Sequence, residues 1–378
     1  MTRFIHTADW QLGMTRRFLS TEEQARYSQA QLDAIGRIAA LARSEACQFV
    51  VVSGDVFDSN HLDRKVLARA LEAMSAFDVP VYLLPGNHDP ASAASVYISK
   101  TFTERCPPNV SVLKADEPIA VPGSDAEVIG APWDSKRPLE DLVARACSRL
   151  QAGGGRVRIM VGHGGVDASS PDRSDPALIG LEAAEEAIGL GLVQYLALGD
   201  RHSATDVGST GRIWYSGAPL MTDYTETDPN NVLLVDVDRE QIAVERRQVG
   251  DWAFIKHTFN LSSREDVDGA AAWLQALENK HNTIVKLSFV GTLNLSEKAH
   301  LDEQLEHAGD LFAALDVWER RTDLAVLPDD SDLQSLGLSG FAAEVLEELR
   351  ERSQHTSEDG QVAQDALGLL YRLAGGGR

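Results

Sequence analysis

The feature that most constrains this chain is a recurrence: β-branched or apolar runs at residues 4–8, 49–53, 81–85, 157–161 and 195–198 each lead into small and metal-binding residue types. Short apolar runs bounded by Gly, Asp or Ser fit strands buried on both faces. Between them the spacing predicts helices over 22–46, 62–76 and 139–150. Strands alternating with helices specify a layered α/β unit with a sheet between helices. Open α/β sheets place their sites just beyond the C-terminal ends of the strands, where the polar groups of this chain fall.

After Asp200 the pattern changes to closely spaced strands at 213–216, 232–236 and 242–246, with a turn at Asp238-Arg239-Glu240. These are expected to form a second sheet closing the core. From about Trp252 a β-α-β-α alternation begins, with a helix over 271–277, a strand over 283–290 and a helix over 297–315, which predicts a smaller α/β cap. Two amphipathic helices follow, one carrying Phe341, Val345 and Leu349 and the other Val362, Ala366, Leu369 and Leu373. Amphipathicity alone does not distinguish packing on the chain's own cap from packing in a partner's groove.

Composition narrows the class. The three cysteines, Cys47, Cys106 and Cys147, lack CxxC spacing and suggest neither a disulfide framework nor a zinc knuckle. No stretch approaches the ~20 apolar residues of a membrane helix and the N-terminus has no signal-peptide pattern, so the expectation is a cytoplasmic protein without a membrane partner. The net charge of −22 carries more weight, because a protein that grips DNA unaided presents a basic face. Three readings follow: a local basic patch within an acidic shell, a partner that supplies phosphate contacts, or a substrate other than DNA.

The chemistry lies in five strand-end groups: Asp9-Trp10-Gln11, Gly54-Asp55-Val56-Phe57-Asp58, Gly86-Asn87-His88-Asp89, Gly162-His163-Gly164 and Gly199-Asp200-Arg201-His202. Any one of them is a common turn or cap; their joint order is the signal. Phosphodiester hydrolysis needs an activated water and positive charge against the developing negative charge, and two metals ~3.5–4 Å apart supply both. Asp55 suits a bridging ligand, Asp9 and His202 one metal, and Asn87 and His163 the other. His88, beside a ligand yet free itself, suits stabilisation of the transition state or protonation of the leaving oxygen. Trp10 either stacks on a base or packs under the loop, His6 reads as a satisfied core group, and Arg201 serves either a phosphate or a structural salt bridge.

This order resembles the calcineurin-like metallophosphoesterases, and "FIHTADWQLG", "VVSGDVFD" and "LLPGNHD" look like the SbcD-type DNA double-strand-break repair exonucleases among them. The resemblance covers roughly residues 1–240. It implies a four-layer sandwich of two sheets flanked by helices, with a small α/β cap and C-terminal helices. The corresponding division is a metallophosphoesterase domain over 1–250, a cap over 251–330 and a helical segment over 331–378 that is a candidate ATPase-binding element. It also implies two divalent metals, Mn foremost with Mg, Fe or Zn as alternatives, and as partners DNA, an SMC-like (SbcC-type) ATPase and a second copy of the chain. The later "YSGAPLMTDYTE" resembles the segment after the family's last ligand and either lines the site or is only a turn.

Two positions depart from that pattern: Gln11 and Asp200 stand where the family has histidine. A glutamine amide oxygen is a weak neutral ligand, so the first metal should bind less tightly, while Asp200 as a hard anionic oxygen suits Mn or Mg at the second. An active variant with a different metal preference, a one-metal enzyme and an inactive relic all remain open. At the level of function the leading expectation is a metal-dependent nuclease subunit. The alternatives are a small-molecule phosphodiesterase or phosphatase and a non-catalytic scaffold.

Overall fold

Strand β2 (Phe49–Val52) accounts for the layering. Its four residues are all fully buried, and their side chains alternate between two cores. Val50 and Val52 pack with Ile35, Ile38, Leu67 and Leu71 from the helices Thr21–Ser44 and Arg64–Met74. Phe49 and Val51 pack with Val128, Ile159, Val161 and Tyr195 from a second sheet. A strand buried on both faces must be apolar at every position, which is why FVVV shows no polar alternation.

The computed structural model describes residues 1–152, 155–170, 172, 174–326, 340–353, 355 and 357–375. They divide into two units, Met1–Trp252 and Ala253–Arg378. In the first unit, β1 (Thr2–Thr7), β2, β3 (Val81–Leu83) and β4 (Val110–Val112) run parallel. The hairpin of β11 (Asn231–Val237) and β12 (Ile242–Gln248) adds antiparallel to the free edge of β1. The second sheet runs β5 (Ile119–Ala120), β6 (Ala126–Gly130), β7 (Val157–His163), β8 (Tyr195–Gly199), β10 (Ile213–Tyr215), β9 (Thr205–Asp206). Its outer face packs Ile129, Met160 and Leu196 on Val143, Ala146, Ala184 and Ala187 of the helices Leu142–Ser148 and Leu181–Gly189. The result is an α/β fold of two mixed sheets flanked by helices.

Three expectations from the sequence are corrected by this topology. The five early strands do not share one sheet: β1, β2 and β3 lie in the first, β7 and β8 in the second. The strands after Asp200 likewise split, β10 joining β8 while β11 and β12 join β1. Closeness in sequence favours pairing of neighbours but does not say which open edge a hairpin joins. The β1 edge is chosen because it places Leu233, Val235 and Val237 in the core between the sheets. The predicted helix 139–150 contracts to Leu142–Ser148, because the Asp141 carboxylate caps Val143 N and Ala144 N at 2.9 Å and so starts the helix there.

His6 points from β1 into the space between the sheets and joins them. Its Nδ1 accepts from the Tyr195 hydroxyl at 3.0 Å and its Nε2 donates to the Leu198 carbonyl at 3.1 Å, so the neutral ring is satisfied on both sides. This bears out its reading as a core group.

In the second unit, β13 (Ala253–Leu261), β14 (Thr283–Leu293), β15 (Ala314–Val317) and β16 (Asp323–Val326) form a parallel sheet, with the helices Arg264–Ala276 and Leu295–Gly309 as crossovers. The predicted helix 297–315 is therefore too long: it ends at Gly309, and Leu315 pairs with Val285 in the sheet. The C-terminal helices span Phe341–Ser353 and Glu358–Gly375, whereas residues 331–339 and 376–378 of the expected helical segment lie outside the described residues. The sequence left open which face of these helices turns inward, and the structure resolves it in part. Leu346 and Leu367 are buried with Leu295 and Val326, and Leu349 is partly buried against them, while Phe341 and Val362 stand 79% and 62% exposed. Both helices carry apolar residues on more than one stripe, and packing selects the stripe that meets the cap. Among the described residues no helix is long and apolar enough to cross a membrane.

Two outcomes follow. Burial lowers the His6 pKa from the ordinary 6.5 to about 3, so the unfolded chain binds a proton there that the folded chain does not. His6 should therefore contribute a stability loss of about 1.4 kcal/mol per pH unit as pH falls from 6.5 toward about 3. Urea denaturation should show a flatter acid limb in His6→Gln than in wild type. Leu367→Ala should cost about 2–5 kcal/mol and Val362→Ala within about 0.5 kcal/mol in the same assay; equal costs would refute the assignment of the inward face.

Candidate metal centre

The loop after β1 runs beside the loop after β2 as a continuation of their parallel pairing. Asp9 N donates to Gly54 O at 3.1 Å, Gln11 N to Asp55 O at 2.9 Å and Leu12 N to Val56 O at 3.0 Å. This ladder sets Asp9 and Gln11 beside Asp55. The backbone is strained where it does so: Asp9, Gln11, Asp55 and Asp200 all have positive φ, at 53°, 44°, 50° and 97°. Left-handed conformations at four non-glycine residues persist only where the surroundings over-determine them. The surroundings include Gln31, whose amide donates to the carbonyls of Trp10 and Gln11 at 3.2 and 2.9 Å. Trp10 is buried, with its indole donating to Thr7 Oγ1 at 2.9 Å, so it packs under the loop and does not stack on a ligand.

The structure brings all the candidate residues together. Ligand atoms of Asp9, Asp55 and His163 lie within 4.8 Å of one another. His163 Nε2 stands 2.9 Å from Asn87 Oδ1, 3.4 Å from Asp55 Oδ1 and 3.8 Å from Asp200 Oδ1. His202 Nε2 is 3.9 Å from Asp9 Oδ1 and 3.2 Å from Gln11 Nε2. Asp200 N donates to both oxygens of Asp9, at 3.2 and 3.0 Å, while its own side chain, 40% exposed, forms the rim. His88 N donates to Asp55 Oδ1 at 2.9 Å, and the ring Nδ1 lies 2.9 Å from the Asp58 carbonyl. A carbonyl only accepts, so His88 Nδ1 carries the hydrogen and Nε2 is left 3.9 Å from Asp55 Oδ2.

The donor set fits cations. Asp9 and Asp55 are almost wholly buried, and among the described residues only histidines, not Lys or Arg, pair with Asp9, Asp55 or Asp200. Buried carboxylates need such compensation. Burial pushes the Asp9 carboxyl up to about 7 against the pull of His202 and His163. For Asp55 burial also works upward, but His163 and His88 outweigh it and hold the carboxyl below its usual range. Burial lowers the basicity of His163, yet Asp55, Asp9 and Asp200 together raise its pKa well above the ordinary value. His163 Nδ1 donates to the Ser53 carbonyl at 2.8 Å, which leaves Nε2 turned inward as a metal-binding lone pair requires. With its amide nitrogen inward, Asn87 donates to both Asp55 oxygens at 3.0 Å; with its oxygen inward, acceptor faces acceptor, an arrangement a cation between them resolves.

Several residues escaped the sequence reading. Asp89 is fully buried and accepts from Gly86 N at 2.8 Å, Phe57 N at 3.0 Å and the Tyr97 hydroxyl at 2.6 Å, tying the loops after β2 and β3 together. Its place in the Gly86-Asn87-His88-Asp89 group was the available signal. Trp133 Nε1 donates to the His163 carbonyl at 2.7 Å and Tyr215 to that of Gly164 at 2.8 Å, with no motif to mark either. Thr222 and Glu226, from the "YSGAPLMTDYTE" segment, reach His202 Nδ1 at 2.6 and 3.1 Å, so that segment does border the site. Arg201 is exposed and forms no ion pair among the described residues, which removes the structural salt bridge expected as one of its two roles.

Acidic and imidazole ligands gathered on strand-end loops of two apposed mixed sheets define a metal-dependent phosphoester hydrolase. The calcineurin-like phosphoesterase pattern matches residues 2–204 of the 378, and the chain belongs to that family. It is 33% identical over 93 residues to the SbcD component of the SbcCD nuclease of Bacillus subtilis (strain 168), a stretch that spans 23% of this chain and 22% of that protein. Among solved structures it is similar to TT1561 of Thermus thermophilus, at 10% identity and TM-score 0.43 over 66% of this chain and 99% of that one. It is also similar to a dimetal phosphatase from Danio rerio, at 14% identity and TM-score 0.41 over 66% of this chain and 96% of that one.

Gly86 shows how tightly the ligands are held. A Cβ there would fall on Asp55 Oδ1 and 2.5 Å from Asp55 N, and backbone cannot yield as a flexible side chain can. Gly86→Ala should reduce bound metal in a manganese titration while the far-ultraviolet circular dichroism stays as in wild type. Unchanged metal uptake would show that the Asp55 loop is not held as described.

Proposed function

We propose that this chain is a two-metal phosphodiesterase acting on DNA, the nuclease subunit of a cytoplasmic assembly with an SMC-like (SbcC-type) ATPase, and itself a homodimer. The observation that carries the metal chemistry is the pair of buried carboxylates, Asp9 and Asp55, flanked by the inward Nε2 atoms of His163 and His202 and by no Lys or Arg among the described residues. Similarity to the Bacillus subtilis nuclease component supports the choice of DNA and of the partner. The acidity of the chain conceals a local concentration of positive charge in the second unit, where Lys256, Lys286 and Arg321 stand 5.6, 5.1 and 5.4 Å from the Trp318 ring centre. This favours the local basic patch among the three readings of the net charge.

In this reading Asp55, Asp9, Gln11 and His202 would hold one ion, and Asp55, Asn87, His163 and Asp200 would hold the other. Bound divalent metals, Mn foremost, supply an activated water and positive charge against the phosphoryl oxygens. The strained loops hold the carboxylates in place before substrate arrives, and Asp200 leaves the rim open to it. His88, fixed through Nδ1 by the Asp58 carbonyl, presents Nε2 to the leaving oxygen and in its imidazolium form, with a second hydrogen on Nε2, would deliver that proton there and return to the neutral ring. One observation favours a second reading, a scaffold without activity: the Gln11 amide nitrogen lies on His202 Nε2, the atom a metal would use.

Metal content and manganese-dependent hydrolysis of bis-p-nitrophenyl phosphate and of linear DNA separate these readings. His88→Ala should lose activity by roughly 10²–10⁴-fold with metal content unchanged. Hydrolysis of the small ester without cleavage of DNA, even with the ATPase, would make the protein a small-molecule phosphodiesterase. No activity with any metal, gained on Gln11→His, would make it a scaffold.

A further inference from the structure

The two inward-facing histidines are backed differently. Behind His163 stands a neutral group, the Ser53 carbonyl. Behind His202 stands a carboxylate. Glu226 Oε1 lies 3.1 Å from His202 Nδ1, and Thr222 Oγ1 lies 2.6 Å from the same nitrogen. The Thr222 hydroxyl donates to Glu226 Oε1 at 2.6 Å, so toward the imidazole its oxygen can only accept. Both neighbours of Nδ1 are therefore acceptors. Nδ1 carries a hydrogen in either charge state of the ring, and Nε2, facing Asp9 and Gln11, is the nitrogen left to bind metal once the ring is neutral.

The carboxylate is held firmly. Thr222 N donates to both of its oxygens at 3.1 Å and Asp223 N to Oε1 at 3.0 Å. The loop that presents it is anchored from four directions. Tyr27 donates to the Met221 carbonyl at 3.0 Å, Arg16 to the Thr222 carbonyl, Met221 N to Asn230 Oδ1 at 2.9 Å, and Thr227 N to Ser203 Oγ at 3.1 Å. A fixed carboxylate behind a ligand imidazole orients the ring and strengthens it as a donor. This strengthening falls on the half of the site where Gln11 supplies only a weak neutral oxygen.

We propose that Glu226, with Thr222 as its relay, is a positioning residue that compensates for Gln11: it holds His202 in the ring form and orientation that bind metal, and so sets the affinity of the Asp9–Gln11–Asp55–His202 half alone. Glu226 lies beyond the family-matched segment, which ends at residue 204. The inference rests on the two-metal reading above.

The test is calorimetric titration of the metal-free full chain with Mn2+ for wild type, Glu226→Gln, Thr222→Val and the double variant Gln11→His/Glu226→Gln. Glu226→Gln should weaken one of the two binding steps by roughly 10–100-fold and leave the other unchanged. Thr222→Val should weaken the same step less, and Gln11→His should restore it in the Glu226→Gln background. Equal weakening of both steps, or of neither, would overturn the proposal. Should the wild type take up no manganese, the two-metal reading fails by itself, and ¹⁵N shifts of the neutral His202 ring in the metal-free chain decide this inference separately. Hydrogen on Nδ1 in wild type, lost from that position in Glu226→Gln, supports it; hydrogen on Nε2 in wild type overturns it.

Discussion

Two carboxylates buried side by side repel one another, and the arrangement of the first unit follows from keeping Asp9 and Asp55 together nonetheless. They sit at the tips of adjacent parallel strands, and the backbone ladder between the loops continues past the strand ends to hold them there. No Lys or Arg among the described residues relieves the repulsion, so compensation is left to imidazoles and to cations from solution. Carboxylates buried in this way cost the fold stability unless positive charge compensates them, which a divalent cation would do.

The rest of the unit acts as a clamp on that arrangement. Asp89 joins the loops after β2 and β3, Gln31 reaches from a helix to the loop after β1, and Asp200 N closes on Asp9 from the second sheet. His6 performs the same service one layer deeper, bonding β1 to Tyr195 and Leu198 across the sheets. Positive φ angles at four ligand-bearing positions are tolerable because each is fixed by contacts from at least one other element. The strain and its restraints lie in the same few loops, which leaves the ligands little freedom to relax when metal is absent.

The groups behind the two inward histidines are not alike. As the proposed ligands, Gln11 and Asp200 would shift the donors toward oxygen and so toward harder ions such as Mn or Mg. The half containing His163 has its imidazole backed by a carbonyl, and the half containing His202 has a carboxylate and a hydroxyl behind the ring. In the proposed reading, weakness in one donor is set against reinforcement of its neighbour.

Much of this was legible in the residues. FVVV with no polar alternation marks a strand buried on both faces, and the strand-end groups from Asp9 to His202 come together in one place, because the ends of neighbouring strands converge whatever the sheet order. Edge choice was not legible: the hairpin of β11 and β12 could have closed either sheet, and only the fit of Leu233, Val235 and Val237 between the sheets decided it. The inward stripe of the C-terminal helices was likewise open, since both carry apolar residues on more than one face and Leu295 and Val326 selected Leu346 and Leu367. Glu226 stands far from His202 in sequence, within a segment whose polar residues could equally have formed a turn alone. Local spacing determines which residues end a strand or line a helix face. Which distant group stands behind a ligand is decided by packing, because no local periodicity encodes a contact between segments brought together only when the sheets close.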